Sequence, residues 1–367
     1  MDEGLKKAKS YSMLKYLIAI SGIMLSVIYF ITIQLSGFSS FIAASATAIT
    51  GNVYLLVFIY FIVIGSLLQL ISFPLDFLGS FRIEHKFGLS CQNFKSWLSD
   101  YLKKAAIGGL IYLILIMLIY YFLRISYLWW VYVAVIYFAF SVVLAKIFPI
   151  FIIPLFYKLT EISETTLKKR LILLADKAGV KILNVYKIGL GEKTKKANAA
   201  VCGLGSTKRI LLSDTLLQAY TEDEIEAALG HELAHHKYHH FWKLTFFGLA
   251  LTLLSFVIAD ALLQRALSAG DIMYMHDVSF FPVLALMFTL YGIATTPLLN
   301  YISRMYEKEA DREAMHLIEN PLALGSLMKK LTIQNMSDPQ PGKVIKFFFY
   351  DHPPASERIK MCEGRKG

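Results

Sequence analysis

Six stretches of this sequence are apolar over the length of about 20 residues that a helix needs to cross the hydrocarbon core of a bilayer. They fall at 16–34, 53–77, 105–123, 128–153, 242–263 and 279–303. Lipid offers backbone N–H and C=O groups no water, so each stretch must satisfy them within itself, as a helix. Composition agrees. The 367 residues are 56% hydrophobic and only 17% charged, against roughly 25% charged in a soluble domain. Mean hydropathy is +0.54. The expected fold is therefore predominantly α, a multi-pass membrane protein. The run at 16–34 is longer than a secretory apolar region and is not closed by a sharp small-residue cleavage site, so it reads as a retained anchor.

Charge sorts the connections between spans. Residues 1–15 carry Lys6, Lys7, Lys9 and Lys15, and 78–104 carry Arg82, Lys86, Lys95, Lys103 and Lys104. Segments 158–241 and 304–367 are basic as well, whereas 35–52 has no charge and 124–127 has only Arg124. The positive-inside rule then places both termini in the cytoplasm, in a cell membrane, or in the endoplasmic reticulum membrane if the source is eukaryotic. The net charge of +10 fits lysines beside anionic headgroups, not nucleic-acid binding. Cys91, Cys202 and Cys362 are far apart and form neither a disulfide framework nor a thiolate metal site. Gln69, Asp76, Lys146, Asp260 and Asn300 are polar positions within spans, mostly near span ends where snorkelling explains them. Pro149 and Pro154 should end or kink the fourth span.

The sequence divides into an N-terminal membrane domain, 1–157, with four spans and a cytoplasmic loop at 78–104, and a second domain, 158–367. The latter holds a cytoplasmic insertion at 158–241, two spans within 242–303, and a cytoplasmic tail. In the insertion, Thr165–Ala178 has helical periodicity and 182–188 reads as a strand. A second strand at 198–204, a turn at 205–208 and a third strand at 209–212 follow, with a short helix starting at Ser213-Asp214. A hairpin edge beside a metal site could take up an extended peptide as an added strand, although a purely structural hairpin would look the same.

The chemistry gathers at His231-Glu232-Leu233-Ala234-His235, which reads H-E-x-x-H. Thr221-Glu222-Asp223-Glu224 ahead of it is a capping box that starts a helix. On that helix the two histidines, four apart, lie on one face and can share one metal ion. Glu232 stands one step round, where it can take a proton from a water in the open position of a zinc site. His236, His239 and His240 follow and read as surface or supporting groups. A third ligand must come from elsewhere. Glu307, Glu309 and Glu313 lie on a helix continuing from the last span, and Asp311, four residues after Glu307, shares its face. Spacing does not choose among the three glutamates, and a charged, solvated helix would read the same way.

Four blocks, in order, resemble the type I CAAX prenyl proteases, membrane-embedded zinc endopeptidases of the gluzincin class. They are the loop Phe81-Arg82-Ile83-Glu84-His85-Lys86-Phe87-Gly88-Leu89-Ser90, the segment Asn198–Gly205 with Ile210–Leu217, the H-E-x-x-H block, and Glu307–Asp311 with Asp351–Ile359. The likeness covers roughly residues 50–360. It implies Glu307 as third ligand of one zinc ion per chain, Asp311 as its supporting neighbour, and Asn198 as a contact to the substrate backbone. It also implies His352 as a hydrogen-bond donor to the transition state and Arg358 as a positioning or charge-stabilising group. This chain departs from the eukaryotic members in having one span fewer, ahead of the Glu84–Gly88 loop, and a shorter connection between spans five and six.

The expected function is peptide-bond hydrolysis by a zinc endopeptidase at a bilayer. Its substrate would be a peptide or protein, prenylated or not. The resemblance further implies removal of the C-terminal tripeptide of prenylated proteins. The rivals are a heat-shock membrane quality-control protease, which would lack the 84–88 loop, and a metal-binding transporter, whose site would lie near the bilayer midplane rather than at a span end. A catalytically dead scaffold is disfavoured because every catalytic position is filled.

Overall fold

The first apolar stretch lies inside one long helix, α1 (Asp2–Leu35), and the uncharged loop after it folds into a second, shorter one, α2 (Phe38–Ile49). The structure is a computed structural model that describes residues 2–364. Asn52 caps α3 (Val53–Phe77) by accepting from the N–H groups of Tyr54 and Leu55. A wide π-type turn, Leu78–Arg82, leads on into the single turn α4 (Ile83–Lys86). Next come α5 (Phe94–Ile125), capped by Asn93, and α6 (Trp129–Ile147). The helix after α6 loosens at Pro149 and Pro154, whose missing N–H groups cannot continue the ladder.

The insertion opens with β1 (Leu159–Glu161), α7 (Thr166–Lys177) and β2 (Val185–Ile188). It continues with β3 (Ala199–Cys202), β4 (Arg209–Ser213), α8 (Asp214–Ala219) and α9 (Glu222–Lys237). The last two spans are α10 (His240–Ala269) and α11 (Phe281–Leu317), and α12 (Leu322–Gln334), α13 (Lys343–Phe349) and α14 (Ala355–Glu363) complete the chain. Among the described residues six helices are long and apolar enough to cross a membrane. The expected class is the observed one, spans attached to a small mixed sheet.

The sheet order is β1-β2-β4-β3, with β2 and β4 parallel and the outer pairs antiparallel. β3 is therefore an edge strand. Two strands are shorter than the sequence suggests, each for a local reason. Asn184 turns its side-chain oxygen onto the Val185 N–H (2.8 Å), so β2 starts at 185 instead of 182. Gly203, at φ 99°, turns the chain out of β3 two residues early. β1, three residues long, is too short to show alternation and was not foreseen.

Between the spans, aromatic side chains interlock. Phe61 sits edge-on to Phe281 with centroids 4.6 Å apart, and Tyr60 is fully buried. Ser39 pins α2, sharing a 2.6 Å hydrogen bond with Tyr60 and donating to the Ser279 carbonyl. Four of the polar residues within spans, Gln69, Asp76, Asp260 and Asn300, are partnered. Trp129 Nε1 donates to Asp260 at 2.7 Å, Tyr101 donates to Asp76, and Asn300 Nδ2 donates to the Phe348 carbonyl at 2.8 Å. Such bonds between membrane helices contribute about 0.6–2 kcal/mol each.

The core outside the spans packs α7, the sheet, α9, the end of α11 and α12. Ile225, Leu229 and Leu233 form its α9 face, at i, i+4 and i+8, all buried to 2% exposure or less. Burying each contributes about 1.5–3 kcal/mol. Gly230 on α9 lets Ala314 of α11 approach closely, since a Cβ there would stand 2.8 Å from Ile318 Cγ2. This contact brings the H-E-x-x-H turn against the helix that carries Glu307. At the other end of the insertion, Glu84 accepts from Tyr11 (2.6 Å) and pairs with Lys15 and Lys196 (3.0 Å each). That knot joins α1, the 84–88 loop and the chain leading to β3.

Candidate metal centre

The capping box forms as its spacing predicts. Thr221 Oγ1 accepts from the Glu224 N–H, and Glu224 accepts from the Thr221 N–H at 2.9 Å. Its helix, α9, presents His231 and His235 on one face, four residues apart. Glu307 of α11 meets them there. Glu307 Oε1 lies 3.2 Å from His235 Nε2, and Oε2 lies 3.2 Å from His231 Nε2. One ligand atom from each of the three residues falls within 4.8 Å of the others. Glu309 and Glu313 are engaged elsewhere. Glu309 takes His240 Nε2 at 3.0 Å, and Glu313 accepts from Lys237 and Tyr238 at 2.6 Å each.

These residues fit a metal ion on their own geometry. The two imidazole Nε2 atoms face each other at 3.2 Å, an arrangement of two lone pairs with at most one proton to share. Glu307 Oε2 is buried, and although His231 Nε2 lies 3.2 Å away, no donor among the described residues is aligned on it as a hydrogen bond. A buried carboxylate oxygen without a donor is costly unless a cation compensates it. His231 shows the same demand. Burial alone would lower its pKa, but the hydrogen bond to Asp311 and the approach of Glu307 raise it to about 9. Two imidazoles and a carboxylate form a donor set suited to zinc.

Asp311, fully buried, stands behind His231, its Oδ1 2.9 Å from Nδ1. That bond fixes Nδ1–H and leaves the Nε2 lone pair facing Glu307. Arg358 of α14 holds Asp311 in a forked pair, Nε to Oδ2 at 2.8 Å and Nη2 to Oδ1 at 2.5 Å. Its Nη2 is also 3.3 Å from His231 Nδ1. His352, in the turn before α14, is half exposed, with Nε2 3.3 Å from Glu307 Oε1 and Nδ1 2.8 Å from Asp351 Oδ1. Burial disfavours its charged form, yet the Asp351 hydrogen bond and the Glu307 charge hold its pKa above the usual imidazole value. Buried Arg304 steadies this segment by donating to the carbonyls of Lys346 and Tyr350.

Glu232 is half-buried and makes no hydrogen bond or ion pair among the described residues. Burial, with the Glu232 charge adding to it, pushes the Cys202 thiol at the end of β3 up to about 11. His236 faces that strand, donating Nε2–H to the Val201 carbonyl at 3.0 Å. Asn198 precedes β3 with its side chain exposed and its backbone tied to Ser213. It makes no hydrogen bond to the histidine and carboxylate cluster among the described residues. Sequence reading missed Asn335, whose amide bonds both the N–H and the carbonyl of Ala197 (3.0 and 3.1 Å) and so fixes the approach to β3. No local pattern marks it, because its partner lies 138 residues away.

The family model described as peptidase family M48 matches residues 161–366. Another, described as the CAAX prenyl protease N-terminal region with five membrane helices, matches residues 1–158. That stretch here holds four span-length helices and the shorter α2. An uncharacterised metalloprotease of Bacillus subtilis, YhfN, is 29% identical over 97% of this chain and 84% of its own length. CAAX prenyl protease 1 of Saccharomyces cerevisiae is 29% identical over 82% of this chain and 70% of its own. The crystal structure of S. mikatae Ste24p superposes with a TM-score of 0.86 at 24% identity, covering 99% of this chain and 90% of that one, and so shares the fold.

Proposed function

The chain belongs to peptidase family M48 and is a membrane zinc endopeptidase, and from that premise we propose that His231, His235 and Glu307 together hold one zinc ion per chain. The observation that carries this is the convergence of the three ligand atoms around a buried carboxylate oxygen that lacks a donor. Zinc bound there supplies Lewis-acid polarisation of the scissile carbonyl and lowers the pKa of water. The chain's own residues do the rest. Glu232, free of partners, takes a proton from the attacking water and passes it to the leaving amine. His352 Nε2 donates to the oxyanion as it develops. Arg358 has both its forked nitrogens on Asp311, which supports the positioning half of its expected role. Through Asp311 it sets the orientation of His231.

The outer edge of β3, where His236 already occupies the Val201 carbonyl, takes the substrate as an added strand, with Asn198 at its start contacting the substrate backbone. The substrate is a peptide or protein, and a prenylated C-terminus is the favoured class. Two features support that choice: the match of the N-terminal half to the CAAX prenyl protease region, and a cavity of about 810 Å³ between α3 and α5. Phe61, Gly65, Leu68, Gly109 and Tyr112 line it with apolar surface suited to an isoprenoid chain. Nucleic acid is not a partner. Residues 1–157 form the membrane domain and 158–367 the protease domain, a division that the two family matches support.

The test is zinc content and peptide cleavage measured together on wild type, Glu232→Ala and Glu307→Ala, with prenylated and unprenylated reporters. Zinc in wild type and Glu232→Ala, weakened zinc in Glu307→Ala, and cleavage by wild type alone are expected. Cleavage retained by Glu232→Ala would sink the base assignment, and full zinc in Glu307→Ala would move the third ligand elsewhere. Equal cleavage of both reporters would remove the prenyl preference.

A further inference from the structure

His235 has a partner on its far side that neither the H-E-x-x-H pattern nor the helical repeat provides. The chain leaves α9 at Tyr238, and His239 takes a left-handed conformation (φ 56°). That turn sets His240, five residues on, directly against His235, with the two Nδ1 atoms 3.0 Å apart. His240 Nε2 in turn lies 3.0 Å from Glu309 Oε2. Its ring is 1% exposed and lies flat on Tyr306, centroids 4.5 Å apart at 12°.

The tautomers along this line are fixed by elimination. For His235 to offer its Nε2 lone pair beside Glu307, its proton must sit on Nδ1. His240 Nδ1 must then accept, which leaves its own proton on Nε2, pointing at a carboxylate that can only accept. Every donor meets an acceptor. We propose that the His240–Glu309 pair is the positioning device for His235, as the Arg358–Asp311 pair is for His231. Resting on the zinc reading above, this gives the site two supports: one through Asp311 of α11 and Arg358 of α14, the other through Glu309 of α11 and His240 at the α9–α10 junction.

Zinc affinity tests it, by chelator competition on the full-length protein in detergent, together with the visible spectrum of the cobalt-substituted protein. His240→Phe keeps the ring stacked on Tyr306 and removes both nitrogens. His240→Gln restores an acceptor and a donor. Glu309→Ala removes the end of the line, while Glu309→Gln keeps an accepting oxygen. Zinc binding about 10–100-fold weaker in His240→Phe, with a changed cobalt spectrum, is expected. His240→Gln and Glu309→Gln should stay close to wild type, and Glu309→Ala should fall between. A merely structural histidine would lower thermal stability in His240→Phe and His240→Gln alike without moving affinity or spectrum, and that result overturns the proposal. If His240→Phe does not fold, Glu309→Ala against Glu309→Gln decides, and equal affinities overturn it. His231→Ala separates the two readings. Zinc lost there but unchanged in His240→Phe sinks only the positioning role, whereas zinc retained in His231→Ala sinks the metal site and this inference with it.

Discussion

Arg358 shows how much one side chain can decide at a distance from the reacting atoms. Its guanidinium forks onto Asp311, and Asp311 orients His231. A lysine has the charge but not the planar fork. Arg358→Lys should therefore fold and bind zinc about tenfold more weakly, with kcat falling more than KM rises, as chelator competition and steady-state kinetics would show. Glu224 gives a prediction in pH. Burial would raise its pKa, but Lys330, Ser326 and the Thr221 N–H together hold it below the usual carboxylate range. A carboxyl depressed in the folded state stabilises above its unfolded pKa, and that contribution disappears as pH falls through the folded value. Glu224→Gln should cost about 1–3 kcal/mol near neutral pH. Its thermal unfolding curve should converge with that of wild type in acid, and a gap that persists there would refute the assignment.

At the scale of elements, the edge strand β3 depends on the turn that follows it. A Cβ on Gly203 would stand 2.5 Å from the Thr207 carbonyl oxygen, a backbone atom that cannot swing aside, and its φ of 99° suits only glycine. Gly203→Ala should destabilise the insertion by about 1–3 kcal/mol. If β3 holds the substrate strand, KM should rise more than kcat falls, and unchanged KM with lowered stability would detach the strand from binding. The capping box on α9 and the αL residue at His239 are the matching devices for the catalytic helix. The box fixes where α9 begins, and the αL residue fixes how it hands over to α10.

Across the whole molecule, the spans and the sheet-bearing part are tied together at specific places. The Glu84 knot ties α1 to the approach to β3, and α11 runs unbroken from the membrane to Glu307. Read by the positive-inside rule, the basic segments predict that the site and both termini face the cytoplasm. Introduced cysteines in a background lacking the native three provide the check. In intact cells a membrane-impermeant thiol reagent should label Ser36→Cys, between α1 and α2, and should not label Lys329→Cys on α12. The reverse pattern would invert the topology.

The spans, the capping box, the short helix after Ser213 and the H-E-x-x-H face were legible in the sequence because each is a local repeat. A run of about 20 apolar residues, a T-x-x-E and an i,i+4 pair each state what one helix does with its own neighbours. Resemblance to the family singled out Glu307, but local spacing could not, and tertiary structure decided the geometry. Glu307, Glu309 and Glu313 all lie on α11, and which one meets the histidines depends on how α9 crosses it, a crossing set by Gly230, Ala314 and Ile318. His240 has no helical relation to His235 and reaches it only through one left-handed residue. The parallel pairing of β2 with β4, and the reach of Asn335 to Ala197, join segments far apart in the chain. Local periodicity encodes the face a helix or strand offers. What that face meets is set by packing among all the elements at once, and no short window of sequence contains it.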